Sequence, residues 1–336
     1  MIRQHSVLII GCGSIGERHL RCFLNSGRSR VTACDASPAL LQRMADTYKV
    51  PTVSDASIAL ASGDFDAAII CTPAPLHVPF AIQALRGGKH VLIEKPLSHS
   101  LAGLDELFAA RAQADRQLAI AYVYRVFAVL VEAGEFLKRG EFGPVLQATA
   151  TSGQPFHLLR PAYAKTYYRD HAAGGGAVQD ALTHLANWFE NALGPTDSVL
   201  CDCAHLALAD VEVEDTVHVS ARHGKTRVNY TLNQFQAPNE TTLQFNAAGG
   251  SVKVELHHRR WGTFAIGASD WVWHETPPVE RDAHFTNQAN AFLDQIEGQP
   301  PRLCSLEDAA QTLRFNLAAL ASSKSGARVA CSSIHA

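Results

Sequence analysis

The apolar positions of this chain follow two different rhythms, and the change comes near residue 122. Up to about residue 120, short continuous apolar runs alternate with helical patterns. The runs predict strands at 6–11, 30–35, 66–71 (Asp66-Ala67-Ala68-Ile69-Ile70-Cys71), 90–93 and 118–122. Helical patterns lie near 38–48, 55–62, 76–87 and 99–115, and a further amphipathic segment carries Ile15, His19, Leu20 and Phe23 at helical spacing. Continuous apolar strands separated by helices mean a parallel sheet covered on both faces. Right-handed crossovers then wind it in both directions. The expectation for residues 1–122 is an α/β, doubly wound Rossmann domain.

The second half reads differently. A helix is predicted over 126–139, closed by Gly140 and Gly143-Pro144, then a strand at 145–152. A loop rich in aromatic and basic residues runs from about 154 to 173, and one long helix follows over 176–193. Alternating segments come next at 197–208, 213–221, 226–235, 240–247 and 251–257, before helices near 283–297 and 305–323. Thr226-Arg227-Val228-Asn229-Tyr230-Thr231-Leu232-Asn233 has the period of two of a half-covered antiparallel strand. Residues 123–336 are therefore expected to form an α+β domain with an open, mainly antiparallel sheet and helices on one face. Its other face would expose a large apolar patch, which a homodimer or homotetramer would cover.

Three chemically suggestive features fall at carboxyl ends of predicted parallel strands, where open α/β sheets bind ligands. They are Gly11–Gly16, the Thr72-Pro73 turn and Glu94-Lys95-Pro96. Gly11, Gly13 and Gly16 follow the run Val7-Leu8-Ile9-Ile10 and precede a helix, which is the context in which G-x-G-x-x-G signals a dinucleotide site. The first glycine permits the turn, the second lets a pyrophosphate approach, and the third lets helix pack on strand. Ser14 and Ile15 open the helix, whose first N–H groups can meet phosphate. Asp35 ends the second strand, 19 residues after Gly16, where a carboxylate accepts from ribose hydroxyls. It could instead cap the helix that starts near Pro38. An acid there repels a 2′-phosphate, and no arginine follows it in Asp35-Ala36-Ser37, so NAD is expected over NADP.

Composition narrows the class. The 336 residues are 47% hydrophobic and 18% charged, with a net charge of −3 and no basic block, which argues against nucleic acid as partner. No apolar run approaches the roughly 20 residues of a membrane span, and the first strand begins too early for a signal peptide ahead of it. Eight cysteines, mostly within apolar segments and without a C-x-x-C pair, fit reduced thiols and a cytoplasmic location.

Lys95 stands just beyond a buried strand, and Pro96 disfavours helix there, so its ammonium is aimed into the crevice. The plain alternative is a surface lysine at a strand end. Asp180 and His184 are four apart and share one helix face. His184 can exchange protons near neutral pH, Asp180 can orient it, and Gly174–Gly176 would let the helix start approach a ligand. An ordinary Asp–His helix pair is the alternative. No metal is expected, because Asp180/His184, His257-His258 and Cys201/Cys203 supply no closely spaced set of three or four ligands.

Together, GCGSIGERHL, CTPAPLHVPFAIQALRGGKHVLIEKPLS and GGGAVQDALTHLANW resemble the Gfo/Idh/MocA family of NAD(P)-dependent oxidoreductases over the whole chain. The resemblance implies that Lys95 assists proton transfer and that His184, beside Asp180, is its acid/base partner. It places Thr72, Pro73 and His77 along the cofactor near the nicotinamide, and Glu94 at the cofactor ribose. Tyr124 and Arg125, in Tyr122-Val123-Tyr124-Arg125, would border the substrate pocket. One departure is Ala181-Leu182, where members often carry glycine two residues after the aspartate. The implied reaction is hydride transfer between a secondary alcohol of a sugar or polyol and NAD(H). Arg160 could contact an acid group, and His157 and Tyr163 could bind hydroxyls, although each also fits loop surface or a subunit interface. Asn233, Gln234 and Gln236 are further candidates. An uncharged sugar suits this mix better than a nucleotide-sugar. The rival readings are a redox-neutral hydrolase or lyase that keeps its NAD, and a regulator that senses nucleotide without needing Lys95 and His184.

Overall fold

A computed structural model describes residues 4–335. They fall into two compact units, each described on its own. The first comprises the chain up to Val126 together with Val279–Ala309, and the second comprises Phe127–Pro278 with the segment from Ala310 onward.

The first unit runs β1 (His5–Ile10), α1 (Ser14–Asn25), β2 (Ser29–Cys34), α2 (Pro38–Tyr48), β3 (Thr52–Val53), α3 (Ala56–Ala61), β4 (Ala67–Ile70), α4 (His77–Arg86), β5 (His90–Ile93), α5 (Leu104–Gln113) and β6 (Leu118–Ile120). All strand pairs are parallel, in the order β3-β2-β1-β4-β5-β6. The order reverses between β1 and β4, so the crevice for a ligand lies at the carboxyl ends of those two strands. Both sheet faces are covered, and Val7, Leu8, Ile9 and Ile69 have no exposed surface. The expected doubly wound domain is present. The edge strand β3 was not anticipated, because two residues carry no periodicity. Helix α5 begins at Leu104, not near 99, after Gly103 with φ 76°.

The second unit runs α6 (Ala128–Arg139), β7 (Val145–Gly153), α7 (Phe156–Leu159), α8 (Thr183–Leu193), β8 (Ser198–Ala204), β9 (Thr216–His223), β10 (Thr226–Asn233), β11 (Glu240–Ala247), β12 (Gly250–Glu255), β13 (Arg260–Ala265) and β14 (Val272–Glu275). Beyond it the chain forms α9 (Ala283–Ile296), α10 (Leu306–Ser325) and β15 (Val329–Ala330). The nine strands pair in the order β14-β13-β12-β11-β7-β10-β9-β8-β15, and only β7 with β10 is parallel. The sheet is therefore mainly antiparallel, as expected. Strands β13, β14 and β15 extend it beyond the prediction. Trp188 and Phe189 of α8 pack on Phe245 of β11, and Phe315 of α10 packs on Tyr230 of β10.

Two expectations need correction. Residues 123–336 are not one unit. Helix α9 belongs with α1, through Phe23 on Phe292, Arg21 on Asp282 at 2.6 Å and Arg28 on Asp294 at 2.8 Å. Burying a side chain such as Phe292 contributes about 1.5–3 kcal/mol, enough to hold a segment far away in sequence. Nor is the outer sheet face apolar. Arg227 and Asn229 of β10 and His218 and Arg222 of β9 point away from the buried set Val217, Val219, Val228 and Tyr230. The hydrophobic argument for oligomerisation therefore lacks its premise. Among the described residues, no helix is long and apolar enough to cross a membrane.

Candidate functional site

In the first unit, β1 hands the chain to Gly11 at φ 91°, a region side chains avoid. A Cβ on Gly11 would stand 2.8 Å from the Cys71 carbonyl carbon, and one on Gly16 would stand 1.7 Å from the Gly11 carbonyl oxygen. A Cβ on Gly13 would meet nothing within 4 Å. Two glycines thus let the loop pack on β1 and β4, and the middle one leaves its outer side open to a phosphate. Helix α1 has no side-chain cap, and its first internal bond is Glu17 N–H to Gly13 C=O at 2.9 Å. The amides of Ser14, Ile15 and Gly16 stand ahead of that ladder, as an anion site requires.

Asp35 does not cap α2; Ser37 does, accepting from Leu40 N–H. The carboxylate of Asp35 instead accepts the Cys12 amide at 2.7 Å and the Ser37 amide at 2.8 Å, tying the glycine loop to the end of β2. Beyond β4, the Thr72 hydroxyl is buried with no hydrogen-bond partner. Buried polar atoms are rarely left so, and this one lies beside the glycine loop. The loop, the open side of Gly13 and the orphaned hydroxyl fit a dinucleotide.

His77 is 1% exposed, with Nδ1 2.9 Å from the Pro96 carbonyl and Nε2 2.8 Å from the Thr72 carbonyl. Its ring lies between two backbone carbonyls, and burial lowers its pKa, so the neutral ring donates to one of them at a time. The resemblance placed it along the cofactor; its two nitrogens are spent on the protein. Glu94, at the end of β5, is 5% exposed. Its Oε1 accepts from His19 Nε2 at 2.7 Å and its Oε2 accepts the Lys95 amide at 2.9 Å. Burial alone would raise the Glu94 pKa, but His19 and the Lys95 ammonium outweigh it and hold the carboxyl below its usual range. Lys95 is half-buried and precedes a cis proline peptide. Tyr124 and Arg125 sit in the 3-10 turn Val123–Val126. Arg125 Nη2 lies 3.1 Å from Asp308, an ion pair the resemblance did not imply.

In the second unit, the predicted single helix over 176–193 is continuous but takes in one π turn. Val178–Leu182 form the π turn, which runs directly into α8 at Thr183. Such turns interrupt α-helices often at functional positions. Asp180 lies in the turn and His184 just after it; both are partly exposed among buried neighbours. The Tyr167 hydroxyl donates to Asp180 Oδ1 at 2.6 Å. The three glycines before the turn serve the protein's own packing. A Cβ on Gly175 would stand 2.2 Å from the Tyr168 carbonyl oxygen, and one on Gly176, at φ 86°, would stand 2.6 Å from the Glu214 carboxylate. Glu214 accepts the Val178 amide at 2.8 Å and pairs with His171. That hydrogen bond raises the His171 pKa.

The loop over 154–173 contains α7 and three 3-10 turns. His157 and Arg160 are exposed there. Tyr163 packs with Phe156 and Tyr168, and its hydroxyl donates to the Ala209 carbonyl at 2.8 Å. Gln234 is fully buried and accepts from Gln154, and Asn233 accepts the amides of Phe235 and Gln236. Among the described residues, no three His, Cys, Asp or Glu side chains gather as metal ligands.

His19, Tyr167 and Glu214 were not singled out as functional from the sequence. The first had a signal: a histidine among Leu20 and Phe23 on the inner face of α1 must find a buried partner. The other two depend on pairings across 13 and 36 residues that leave no local pattern.

Residues 5–122 match the oxidoreductase family, NAD-binding Rossmann fold, and residues 130–257 match the GFO/IDH/MocA C-terminal domain. An uncharacterized oxidoreductase of Synechocystis sp. is 26% identical over 187 residues, 56% of this chain and 49% of that protein. Levoglucosan dehydrogenase of Pseudarthrobacter phenanthrenivorans is 25% identical over 204 residues, 58% of this chain and 52% of that protein. The chain spans about half the length of the curated relatives it matches. Levoglucosan dehydrogenase in complex with NADH and levoglucosan has the same fold, with a TM-score of 0.87 at 18% identity, covering 98% of this chain and all of that one (100%). The glycine loop, the sheet order and the two matched domains together make this chain a member of the Gfo/Idh/MocA oxidoreductase family, with an NAD-binding Rossmann fold in its first unit.

Proposed function

We propose that this chain is an NAD-dependent dehydrogenase acting on a secondary alcohol of a sugar or polyol. The observation that carries the reading is the fixed setting of Lys95, whose amide is held by Glu94 at the carboxyl end of β5, one strand from the glycine loop–β4 contact. Relatives named levoglucosan dehydrogenase and inositol 2-dehydrogenase support the substrate class. When bound, NAD supplies the hydride acceptor. Gly11, Gly13, Ser14, Ile15 and Gly16 would hold its pyrophosphate at the start of α1, and Asp35 would accept from a ribose hydroxyl. Lys95 and His184 are the two candidates for taking the proton of the substrate hydroxyl, with Asp180 to orient the imidazole or help position substrate; His184 and Asp180 are both partly exposed.

A panel of polyols, aldoses and sugar acids with NAD⁺, followed by NADH absorbance, tests this. Steady NADH formation with one of them is the expected outcome. Product without net NADH would replace the reading by a redox-neutral enzyme. Lys95→Met should keep NADH binding and lower kcat by roughly 10²–10⁴, the span of general acid–base catalysis.

A further inference from the structure

We propose that His19, in the helix after the glycine loop, is a positioning residue for Lys95, acting through the buried carboxylate of Glu94. The inference deepens the dehydrogenase reading and rests on it for its kinetic part only. His19 has no exposed surface, and its ring lies against Phe23 and Phe285. Its Nε2 donates to Glu94 Oε1 at 2.7 Å, since an ionised carboxylate can only accept. The second oxygen of Glu94 accepts the backbone amide of the next residue, Lys95, at 2.9 Å. Glu94 therefore spans from a helix side chain to the peptide that carries the lysine.

The orientation of this carboxylate is set by its two partners. The Lys95 amide is too close in sequence to fix it alone, because a residue's own carboxylate can reach the following amide from several rotamers. His19 selects one of them, and burial among aromatic rings fixes the imidazole in turn. Among the described residues, the Nδ1 atom of His19 has no hydrogen-bond partner, so the ring's one polar engagement there is the carboxylate. A histidine kept in an apolar interior for a single bond is costly, which points to the bond as its purpose. His77 meets the same segment at the Pro96 carbonyl, 2.9 Å from its Nδ1. Of the two histidines, it is His19 whose ring bonds the Glu94 carboxylate, while the ring nitrogens of His77 face backbone carbonyls.

The test uses the full chain with His19→Leu and His19→Gln. The glutamine amide can replace the Nε2 donor; leucine cannot. Two readouts are independent of the substrate: NADH affinity by fluorescence titration, and the rate at which Lys95 is acetylated by acetic anhydride, read by peptide mass spectrometry against the other lysines. His19→Leu is expected to change Lys95 labelling at least threefold while exposed lysines stay level, and His19→Gln to restore it. On the active alcohol, His19→Leu is expected to lower kcat about tenfold with KM within about twofold, again with rescue by glutamine. A cooperative unfolding transition in each variant shows that the fold is kept; should the leucine variant not fold, His19→Phe takes its place beside glutamine. Unchanged Lys95 labelling in the folded variants, or equal loss in leucine and glutamine variants, would overturn the proposal. A wild-type chain inert on every alcohol would end the dehydrogenase reading and leave the labelling result standing by itself.

Discussion

The hydroxyl of Tyr167 lies 2.6 Å from Oδ1 of Asp180, and this bond joins the loop after α7 to the π turn that precedes α8. Tyr167 is 44% exposed, so the bond is partly screened. A hydrogen bond to a charged group contributes about 1.5–3 kcal/mol when buried, and exposure discounts that. Tyr167→Phe is expected to lower kcat/KM by about fivefold and to leave NADH affinity unchanged. Steady-state kinetics beside a fluorescence titration separate the two; equal kinetics would leave Asp180 without an orienting role for the tyrosine.

Two of the three glycines of the first loop should fail in different ways. Gly16→Ala places a methyl 1.7 Å from a backbone carbonyl that no rotamer change can move. The expected cost is at the upper end of overpacking, about 3 kcal/mol or more. Gly13→Ala has space and an ordinary backbone, with φ −66°. It should unfold within about 0.5 kcal/mol of the wild type, as surface changes do, yet bind NADH on the order of tenfold more weakly, roughly 1.4 kcal/mol. Denaturant unfolding and NADH titration check both, and a Gly13→Ala chain with intact affinity would remove the pyrophosphate from this loop.

Asp35 holds two amides, and with the role proposed for it toward the ribose its removal should have two effects. Asp35→Ala leaves the Cys12 amide without its acceptor, which costs about 1–3 kcal/mol where water cannot replace it. Losing the acid also removes repulsion of a 2′-phosphate, and like-charge contacts cost several kcal/mol. The ratio of NADPH to NADH affinity is expected to rise by on the order of tenfold or more. Comparable binding of both cofactors by the wild type would contradict the assignment.

Asp215 predicts an acid limit for the second unit. It has no exposed surface. Its carboxylate accepts the amides of Leu206 at 3.0 Å, Ala207 at 2.7 Å and Leu208 at 2.8 Å, and the Thr216 hydroxyl at 3.0 Å. Burial by itself would raise its pKa, but these four donors lower it from the ordinary 3.8. A carboxyl depressed in the folded state contributes stability that is complete above its unfolded value and is lost as pH falls through its folded value. Thermal unfolding from pH 7 downward should therefore weaken below about pH 4. Asp215→Asn should lower Tm near neutrality and flatten the dependence at low pH; parallel curves for both proteins would refute this.

Local backbone demands account for what the chain disclosed before its structure was known. A strand, three spaced glycines and a helix admit few conformations. Apolar runs without alternation need cover on both faces, and Thr226–Asn233 with alternation needs it on one, so the parallel and mainly antiparallel sheets were both legible. Candidate residues such as Lys95 and Asp180 were legible for the same reason, being fixed by a strand end and a helix. What the sequence could not show was which distant groups meet. His19 finds Glu94 75 residues away, and His5 finds Glu297 292 residues away, and it is through α9 that residues 279–309 join the first unit. Nor could it show that His77 and Tyr163 would use their polar atoms on backbone carbonyls, or that the outer sheet face would be polar. Such pairings are decided by the competition of every buried donor for an acceptor once the chain is compact, and that competition has no local period to read.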